Sequence, residues 1–415
     1  MAQLTDDCFA FGGPLLTVDQ AAALIAERVP PLAEAESLPL AEALGRVLAV
    51  SLVAPNPLPP FGNSAVDGYA FAHAALIPGQ PTRLPVVARI AAGQVAEALP
   101  PGTAARVFTG APMPPGADTV VMQEDAALNG TGVLVPPGLK PGANARAAGE
   151  DVPLGATALL AGRRLGPAEV ALAAALGFAR LPVTRRVRVG VFSTGDELAE
   201  PGTVLGPAST YDSNRFMLLA LLARLPVEAQ DLGILPDRAE ATVAALTAAA
   251  GAFDLLLTTG GVSAGEEDHV RAAIEGAGTL VFWRLAVKPG RPAAMGVVAG
   301  TPVVGLPGNP VAAIVTFLHL ARPLVLRLAA AAPRPLLRLP AVADFAYRKK
   351  EGRREYVRVA LREDGARLIA SRFARDGAGL LTSLTESDGF AELPEEATAV
   401  APGDVLKILP FAALF

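Results

Sequence analysis

Residues 258–268, Thr-Thr-Gly-Gly-Val-Ser-Ala-Gly-Glu-Glu-Asp, form the densest run of groups able to do chemistry. They follow the apolar run Phe253 to Leu257 and precede a helical pattern from His269 to Ala277. A strand, a glycine-rich turn and a helix start direct backbone N–H groups and a positive helix end at one point, which suits a phosphate. Glu266, Glu267 and Asp268 beside such a site make sense if a divalent cation joins the phosphate. A tight strand–helix connection with a solvated acidic face accounts for the same residues without any ligand. The other loops of the chain therefore decide.

In an open α/β sheet, ligands bind beyond the carboxyl ends of the strands. Three further loops stand where such ends are expected: Ser193-Thr194-Gly195-Asp196-Glu197, Leu235-Pro236-Asp237 and Leu306-Pro307-Gly308-Asn309-Pro310. Asn309 suits a helix N-cap with Pro310 at the first helical position, leaving free N–H groups at the helix start. Alone it is a well-made cap. With Gly260, Gly261, Ser263 and Gly265, the loops describe a crevice for a phosphorylated ligand, rimmed by carboxylates. Arg284, Lys288 and Arg291 surround a Pro-Gly turn that closes at Pro292, and Arg353 and Arg354 follow in a later β segment. Basic side chains are ordinarily solvated; beside a phosphate crevice they make an oxyanion pocket. Asp67, Thr109 and Asp151 stand in loops of their own, where turn residues are the ordinary use.

Composition removes several function classes. Cys8 is the single cysteine, so no internal disulfide, cysteine zinc site or iron–sulfur cluster is available. His73, His269 and His319 are widely separated, so any metal is expected to be held by oxygen, which points to Mg²⁺. No serine nucleophile elbow, P-loop or dinucleotide fingerprint is present. A net charge of −5 argues against nucleic-acid binding. Apolar residues make up 52% of the chain, yet the run Val311 to Ala321 is too short to span a bilayer. The N-terminus MAQLTDDCFA is acidic where a secretory signal is basic. A cytoplasmic protein without membrane association is expected.

These groups must be positioned by at least two kinds of fold, and 415 residues suffice for two to four domains. Residues 17–28 read as a helix capped by Thr17, and Leu40 to Ala49 as a second. Short β-like runs divided by Gly and Pro fill Asn63 to Val152, a compact β domain inserted into a helical segment that resumes at Leu165 to Gly177. Residues 186–330 alternate strand and helix, which implies a mostly parallel, helix-covered sheet. Beyond the proline-rich 333–340, REYVRVALREDGARLIA alternates with period two around Asp364-Gly365, a hairpin in a small β-barrel or sheet.

The motifs SAVDGYA, FTGAPMPPGADTVVMQED, GANARAAGEDV, FSTGDEL, SNRFML, TTGGVSAGEED, WRLAVKPGRP and LPGNPV occur in that order between residues 64 and 311. They resemble the MoeA proteins, the molybdopterin molybdotransferase family related to the E domain of gephyrin, over essentially the whole chain. The resemblance implies a homodimer of four-domain chains: a helical/extended dimerisation domain (1–55 and 153–184), an inserted β-rich domain (56–152), an α/β molybdopterin-binding domain (185–332) and a C-terminal β-barrel (333–415). It implies insertion of molybdenum from molybdate into adenylated molybdopterin with release of AMP and a divalent cation, the substrate coming from a molybdopterin adenylyltransferase partner. The alternatives are a tungstate-inserting homologue, a non-catalytic molybdopterin carrier or scaffold, and a separate adenylyltransferase or nucleotide-hydrolase role for the α/β domain.

Position by position, the resemblance assigns Asp67, Thr109 and Asp151 to activity, and Glu197, Asp237 and Asp268 to the acidic set around nucleotide and cation. Glu197 and Asp268 are its metal ligands. Thr194, Gly195, Gly260, Gly261, Ser263, Gly265, Pro307, Gly308 and Asn309 form the pterin and phosphate cradle. Lys288, Arg284, Arg291, Pro292 and Arg353 form the cationic part, with Arg354 as an alternative partner. Arg284 stands where many members have Lys, and Ala312 and Ala378 where Ser is frequent.

Overall fold

Thr17 caps the first helix with both halves of a capping box, its hydroxyl accepting from Gln20 N and the Gln20 side chain accepting from Thr17 N. This helix, Val18–Arg28, belongs to a computed structural model that describes residues 15–32, 34–261 and 269–414. Its apolar face, Val18, Ala21 and Ile25, packs into the core of the α/β sheet, and Leu32 N donates to Leu328 O at 2.8 Å.

That sheet has six strands: β1 (Val187–Thr194), β2 (Val227–Leu235), β3 (Leu255–Thr259), β4 (Gly278–Arg284), β5 (Pro292–Val298) and β6 (Thr301–Leu306). Their spatial order is β2-β1-β3-β6-β5-β4. The first four are parallel, while β5 and β4 add antiparallel edge strands. Both faces are covered, so β1 and β3 read as continuous apolar runs. Val191 and Leu257 face the helices Asn214–Leu222 and Pro310–Leu328, whereas Phe192 and Leu256 face Ala239–Ala249 and His269–Ala277. The Pro310–Leu328 helix is long and apolar but 78% of it is buried, a core helix. It carries a π-helical segment at Phe317–Ala321.

The segment Leu40 to Ala49, expected as a helix, is only a three-residue 3₁₀ turn at Leu40–Glu42. Gly45 takes φ +77°, which ends any helix, and Val47 and Leu48 then bridge to Arg164 and Val183. Ala35–Pro39 pairs with Arg180–Thr184 and Leu52–Val53 with Thr157–Leu159, around a core of Leu48, Leu165 and Leu181. Pro167 opens the helix Pro167–Ala175 there.

Residues between these halves form a second six-stranded sheet, in the order Thr119–Met122, Gly68–Phe71, Ala104–Val107, Thr82–Ile90, Gly132–Val135, Ala127–Asn129. At the C-terminus, Arg354–Asp364, Arg367–Arg372, Leu339–Ala343, Val405–Pro410 and Gly389–Leu393 close on themselves as a five-stranded barrel. The Asp364-Gly365 turn makes the expected hairpin, with Asp364 opposite Arg367. Val287–Lys288 leaves the α/β domain to pair with Arg354 and Glu355 on the barrel. This pairing fixes the cationic turn against the barrel wall.

Candidate functional site

From β1 the chain crosses through the Asn214–Leu222 helix to β2 on one side, while β3 lies on the other side of β1. The carboxyl ends of β1 and β3 therefore flank the topological switch point, where an α/β sheet opens a crevice. Gly260 turns there with φ +95°, and a Cβ on it would stand 2.3 Å from the Thr194 carbonyl oxygen. Only glycine lets the turn lie so close to β1. Gly260 N donates to Leu306 O at 3.0 Å, tying β3 to β6. A Cβ on Gly308 would be 3.8 Å from Gly260 Cα, ordinary van der Waals contact, so the two turns pack backbone against backbone.

Asn214 braces this floor. Its Nδ2 donates to Thr259 Oγ1 at 2.9 Å and to Gly308 O at 2.7 Å, and Thr259 Oγ1 donates to Pro307 O at 3.2 Å. Ser193 Oγ, Thr194 Oγ1, Thr258 Oγ1 and Asn214 Oδ1 are buried without a hydrogen-bond partner among the described residues. Buried polar groups are ordinarily satisfied; Ser193 Oγ lies on the Asn214 face of the sheet and Thr194 and Thr258 on the other, so these partnerless atoms straddle the ends of β1 and β3.

The carboxylates stand at the rim. Glu197 folds over Gly195, where a Cβ would meet Glu197 Oε2 at 2.5 Å. Asp196 Oδ1 accepts from Asp237 N at 2.9 Å, which holds the Leu235-Pro236-Asp237 loop beside Glu197. Ser263, Gly265 and Asp268, with Glu266 and Glu267, lie outside the described residues. Among the described residues no three carboxylate or imidazole groups converge into a cage for a metal. The donors at hand, Glu197 and the partnerless Thr194 hydroxyl, are all oxygen. This set fits a hard cation such as Mg²⁺, which keeps waters and relies on substrate phosphates.

Asn309 departs from its expected part. It occupies the N-cap position with φ −75° and ψ 126°, but its side chain makes no capping hydrogen bond. Val311 N instead donates to Ala378 O at 3.0 Å, so one helix-start N–H is taken by a loop after the barrel hairpin. Ala312 is 4% exposed, buried in the first turn of that helix. Ala378 lines the neighbouring cleft instead.

That cleft, about 520 Å³, runs along the barrel beside the cationic turn and is lined by Lys288, Tyr347, Glu355, Arg358 and Arg372 among others. Lys288 Nζ donates to Glu355 Oε2 at 3.0 Å and to Tyr347 Oη at 3.1 Å, and Tyr347 Oη donates to Glu355 Oε2 at 2.8 Å. Burial opposes the Lys288 charge, yet these bonds to Tyr347 and Glu355 outweigh it and hold the ammonium above its usual range. Burial likewise pushes the Tyr347 phenol up. Arg353 Nη2 reaches Glu355 Oε1 at 3.3 Å. Arg354 is spent elsewhere, on Asp19 at 2.7 Å, Glu395 at 3.2 Å and Glu392 at 3.4 Å, because it lies on the other face of its strand. Arg284 and Arg291 are exposed at the start and end of the turn, whose closure is Leu285 N to Arg291 O at 3.0 Å, and Pro292 opens β5.

Asp67 and Thr109 form a unit in the inserted sheet. Thr109 N and Oγ1 each donate to Asp67 Oδ1 at 2.8 Å, and these bonds hold the Asp67 carboxyl below the ordinary carboxylate range. Asp151 is exposed, with its N–H bonded to Leu58 O at 3.0 Å. No hydrogen bond or ion pair among the described residues links residues 63–150 to the α/β domain of the same chain.

Asn214, Tyr347, Glu355, Arg358 and Arg372 were not singled out by the sequence motifs as site residues. Glu355 carried a readable signal. It shares a strand face with Val357 and Val359, and a carboxylate on a buried face requires a cation. Asn214 reads only as a helix opener, because its two acceptors come from β3 and from residue 308.

Profiles of known families match three parts of the chain: the MoeA N-terminal region (domain I and II) at residues 16–177, the probable molybdopterin binding domain at 190–327, and the MoeA C-terminal region (domain IV) at 340–411. A molybdopterin molybdenumtransferase of Haemophilus influenzae is 38% identical over 96% of this chain and 99% of its own length. The molybdopterin molybdenumtransferase of Bacillus subtilis is 31% identical over 91% of this chain and 90% of its own. Among solved structures, the molybdopterin biosynthesis moeA protein of Pyrococcus horikoshii superposes with a TM-score of 0.81 at 30% identity, covering 95% of this chain and 99% of that one. By full-length similarity to its sequences and to its fold, the chain belongs to the MoeA family.

Proposed function

We infer that the protein is a molybdopterin molybdenumtransferase, which inserts molybdenum from molybdate into adenylated molybdopterin with release of AMP, in molybdenum cofactor biosynthesis. The observation that carries this reading is the adjacency of two unlike sites. A glycine-walled crevice with partnerless polar atoms meets, through the Val311–Ala378 hydrogen bond, a cleft lined by Lys288, Arg358 and Arg372.

The chain's groups divide the work. Thr194, Gly195, Gly260, Gly261, Pro307, Gly308 and Asn309 cradle the pterin and phosphates, together with Ser263 and Gly265. Lys288, with Arg353 and the rim cations Arg284 and Arg291, draws in the tetrahedral dianion by charge-assisted hydrogen bonds. Glu197 and Asp268 would hold Mg²⁺, which would supply neutralisation of the charge on the phosphoric anhydride. Asp237 keeps the rim loop in place through its N–H to Asp196.

Asp67, Thr109 and Asp151 complete the crevice of a second copy, where Asp67 orients the attacking oxygen. Support comes from the lack, among the described residues, of any hydrogen bond or ion pair between residues 63–150 and their own α/β domain. Leu44, Val50, Val53 and Leu160 offer a dimer contact, since each is more than half exposed on the discontinuous N-terminal part. The homodimer works in the cytoplasm and receives its substrate from a molybdopterin adenylyltransferase.

A single-turnover assay with adenylated molybdopterin, Mg²⁺ and molybdate tests the reading. AMP release and activation of an apo-molybdoenzyme, both dependent on molybdate, are expected. Tight ligand binding without either, with tungstate also tried, would make the protein a carrier.

A further inference from the structure

Asn214 is 7% exposed and sits where β1, β3 and β6 end. The orientation of its amide is determined by its neighbours. Gly308 O is an acceptor only, so the group 2.7 Å from it must be Nδ2, and Nδ2 spends its other hydrogen on Thr259 Oγ1. Thr259 Oγ1 in turn donates its own proton to Pro307 O, so it can accept from Asn214. Oδ1 is then an acceptor with no donor, buried at the switch point. The partnerless hydroxyls of Ser193, Thr194 and Thr258 can rotate and serve either way. Oδ1 cannot. A phosphate or molybdate oxygen would leave it unsatisfied and repel it, whereas an N–H or O–H brought by the ligand satisfies it.

Resting on the molybdenumtransferase reading, we propose that Asn214 is a specificity residue whose Oδ1 accepts a hydrogen bond from a ring N–H or amino group of the pterin. Nucleotide donors, the ribose hydroxyls and the adenine amine, share the same hydrogen-bonding chemistry, so the test separates them.

Binding of 6-hydroxymethylpterin and of AMP is measured separately, by fluorescence quenching and by calorimetry, on the full-length protein. Asn214→Ala is expected to weaken the pterin at least tenfold and to leave AMP within twofold, which also shows that the variant is folded. Thr259→Ala removes the brace but keeps Oδ1, and is expected to weaken the pterin less than threefold. Unchanged pterin binding in Asn214→Ala, an equal loss for both probes, a loss for AMP alone, or an equal loss in Thr259→Ala would each overturn the assignment. The function reading fails separately: if wild type releases no AMP with molybdate yet its pterin binding depends on Asn214, only the transferase activity falls.

Discussion

The crevice at the strand ends and the cleft along the barrel handle polarity in opposite ways. The crevice is made of backbone, hydroxyl and amide groups, and leaves four buried polar atoms without partners among the described residues. In the cleft Lys288, Arg358 and Arg372 already have protein partners. Lys288 and Arg353 share Glu355, Arg372 pairs with Asp376, and Arg358 donates to Gly377 O at 2.6 Å and Ser383 Oγ at 2.9 Å. Partnerless neutral groups cost stability and gain most when a ligand of one shape satisfies them, so they confer selectivity. Paired charges cost little while waiting, and an arriving dianion must compete with Glu355 for Lys288. Under the proposed function, a neutral crevice would select and a charged cleft would exchange partners, a division of labour suited to a substrate with one planar and one oxyanionic component.

The comparison is broken most severely at Gly260. Gly260→Ala puts a Cβ 2.3 Å from a backbone oxygen at φ +95°, so the turn must move. The strain is of order 1–3 kcal/mol in stability. Turnover is expected to fall by roughly a thousandfold, since misplacing bound groups by about 1 Å already costs about a hundredfold. Both pterin and AMP binding should weaken in calorimetry. Retained binding of both would show that the crevice does not hold the substrate.

In the cleft the effects should be specific to the anion. Lys288→Ala is expected to lower kcat/KM for molybdate by about a hundredfold, roughly 2.7 kcal/mol of transition-state stabilisation, while AMP affinity stays within twofold. Glu355→Gln removes the competitor instead. It should tighten molybdate about threefold, a change of under about 1 kcal/mol, and lower the thermal midpoint, because the Lys288 and Arg353 cations lose their carboxylate. If Glu355→Gln weakens molybdate, the partner-exchange account of the cleft is wrong.

Asp67 sharpens the question of which copy supplies which loop. Asp67→Asn should lower turnover about tenfold, at the low end for a group that orients a proton acceptor. Because the Thr109 bonds hold the carboxyl below its usual range, it stays ionised, and activity is lost only as pH falls through that depressed value. Thr109→Val removes one of the two donors, so the acid limb of the pH–rate profile should move to higher pH. Mixing Asp67→Asn chains with Gly260→Ala chains should restore activity in heterodimers if the crevice is completed across two copies. Absence of restoration places Asp67 and the crevice in one chain.

What could be read beforehand follows the range of the interaction. The hairpin at Asp364-Gly365 and the helix cap at Thr17 depend on neighbours within a few residues, and they stand where expected. Asn309 reads as a capping residue because its local pattern is right, but Val311 N is claimed by Ala378, 67 residues away in the chain. Leu40 to Ala49 has helical spacing, yet Val47 and Leu48 gain more by bridging to Arg164 and Val183. The antiparallel strands β4 and β5 escaped notice because their cationic turn, Arg284 to Pro292, drew attention as chemistry rather than as a strand connection. Lys288 was readable as a cation but not its tie to Glu355, which depends on Val287–Lys288 joining the barrel.

Behind the cleft, His319 offers the smallest effect on activity and the most distinctive pH signature. It lies in the π-helical segment, 6% exposed, stacked on Tyr356 with ring centroids 4.7 Å apart, and its Nε2 has no partner. Burial drives its pKa down to about 4, opposed by Glu392 and Asp19 and reinforced by Arg354 and Arg338. The imidazole is therefore neutral in the folded protein at pH 7. Its contribution is present above the ordinary histidine value of 6.5 and is lost as pH falls from there to about 4. A shift of that size corresponds to roughly 3 kcal/mol. His319→Phe keeps the stacking and removes the titration. Its denaturation midpoint in urea should therefore fall less than the wild-type midpoint between pH 7 and pH 5, while turnover at pH 7 stays within twofold. An equal loss of stability in both proteins over that interval would assign the acid sensitivity to the Arg354–Asp19–Glu392 ion pairs instead, where carboxylates titrate.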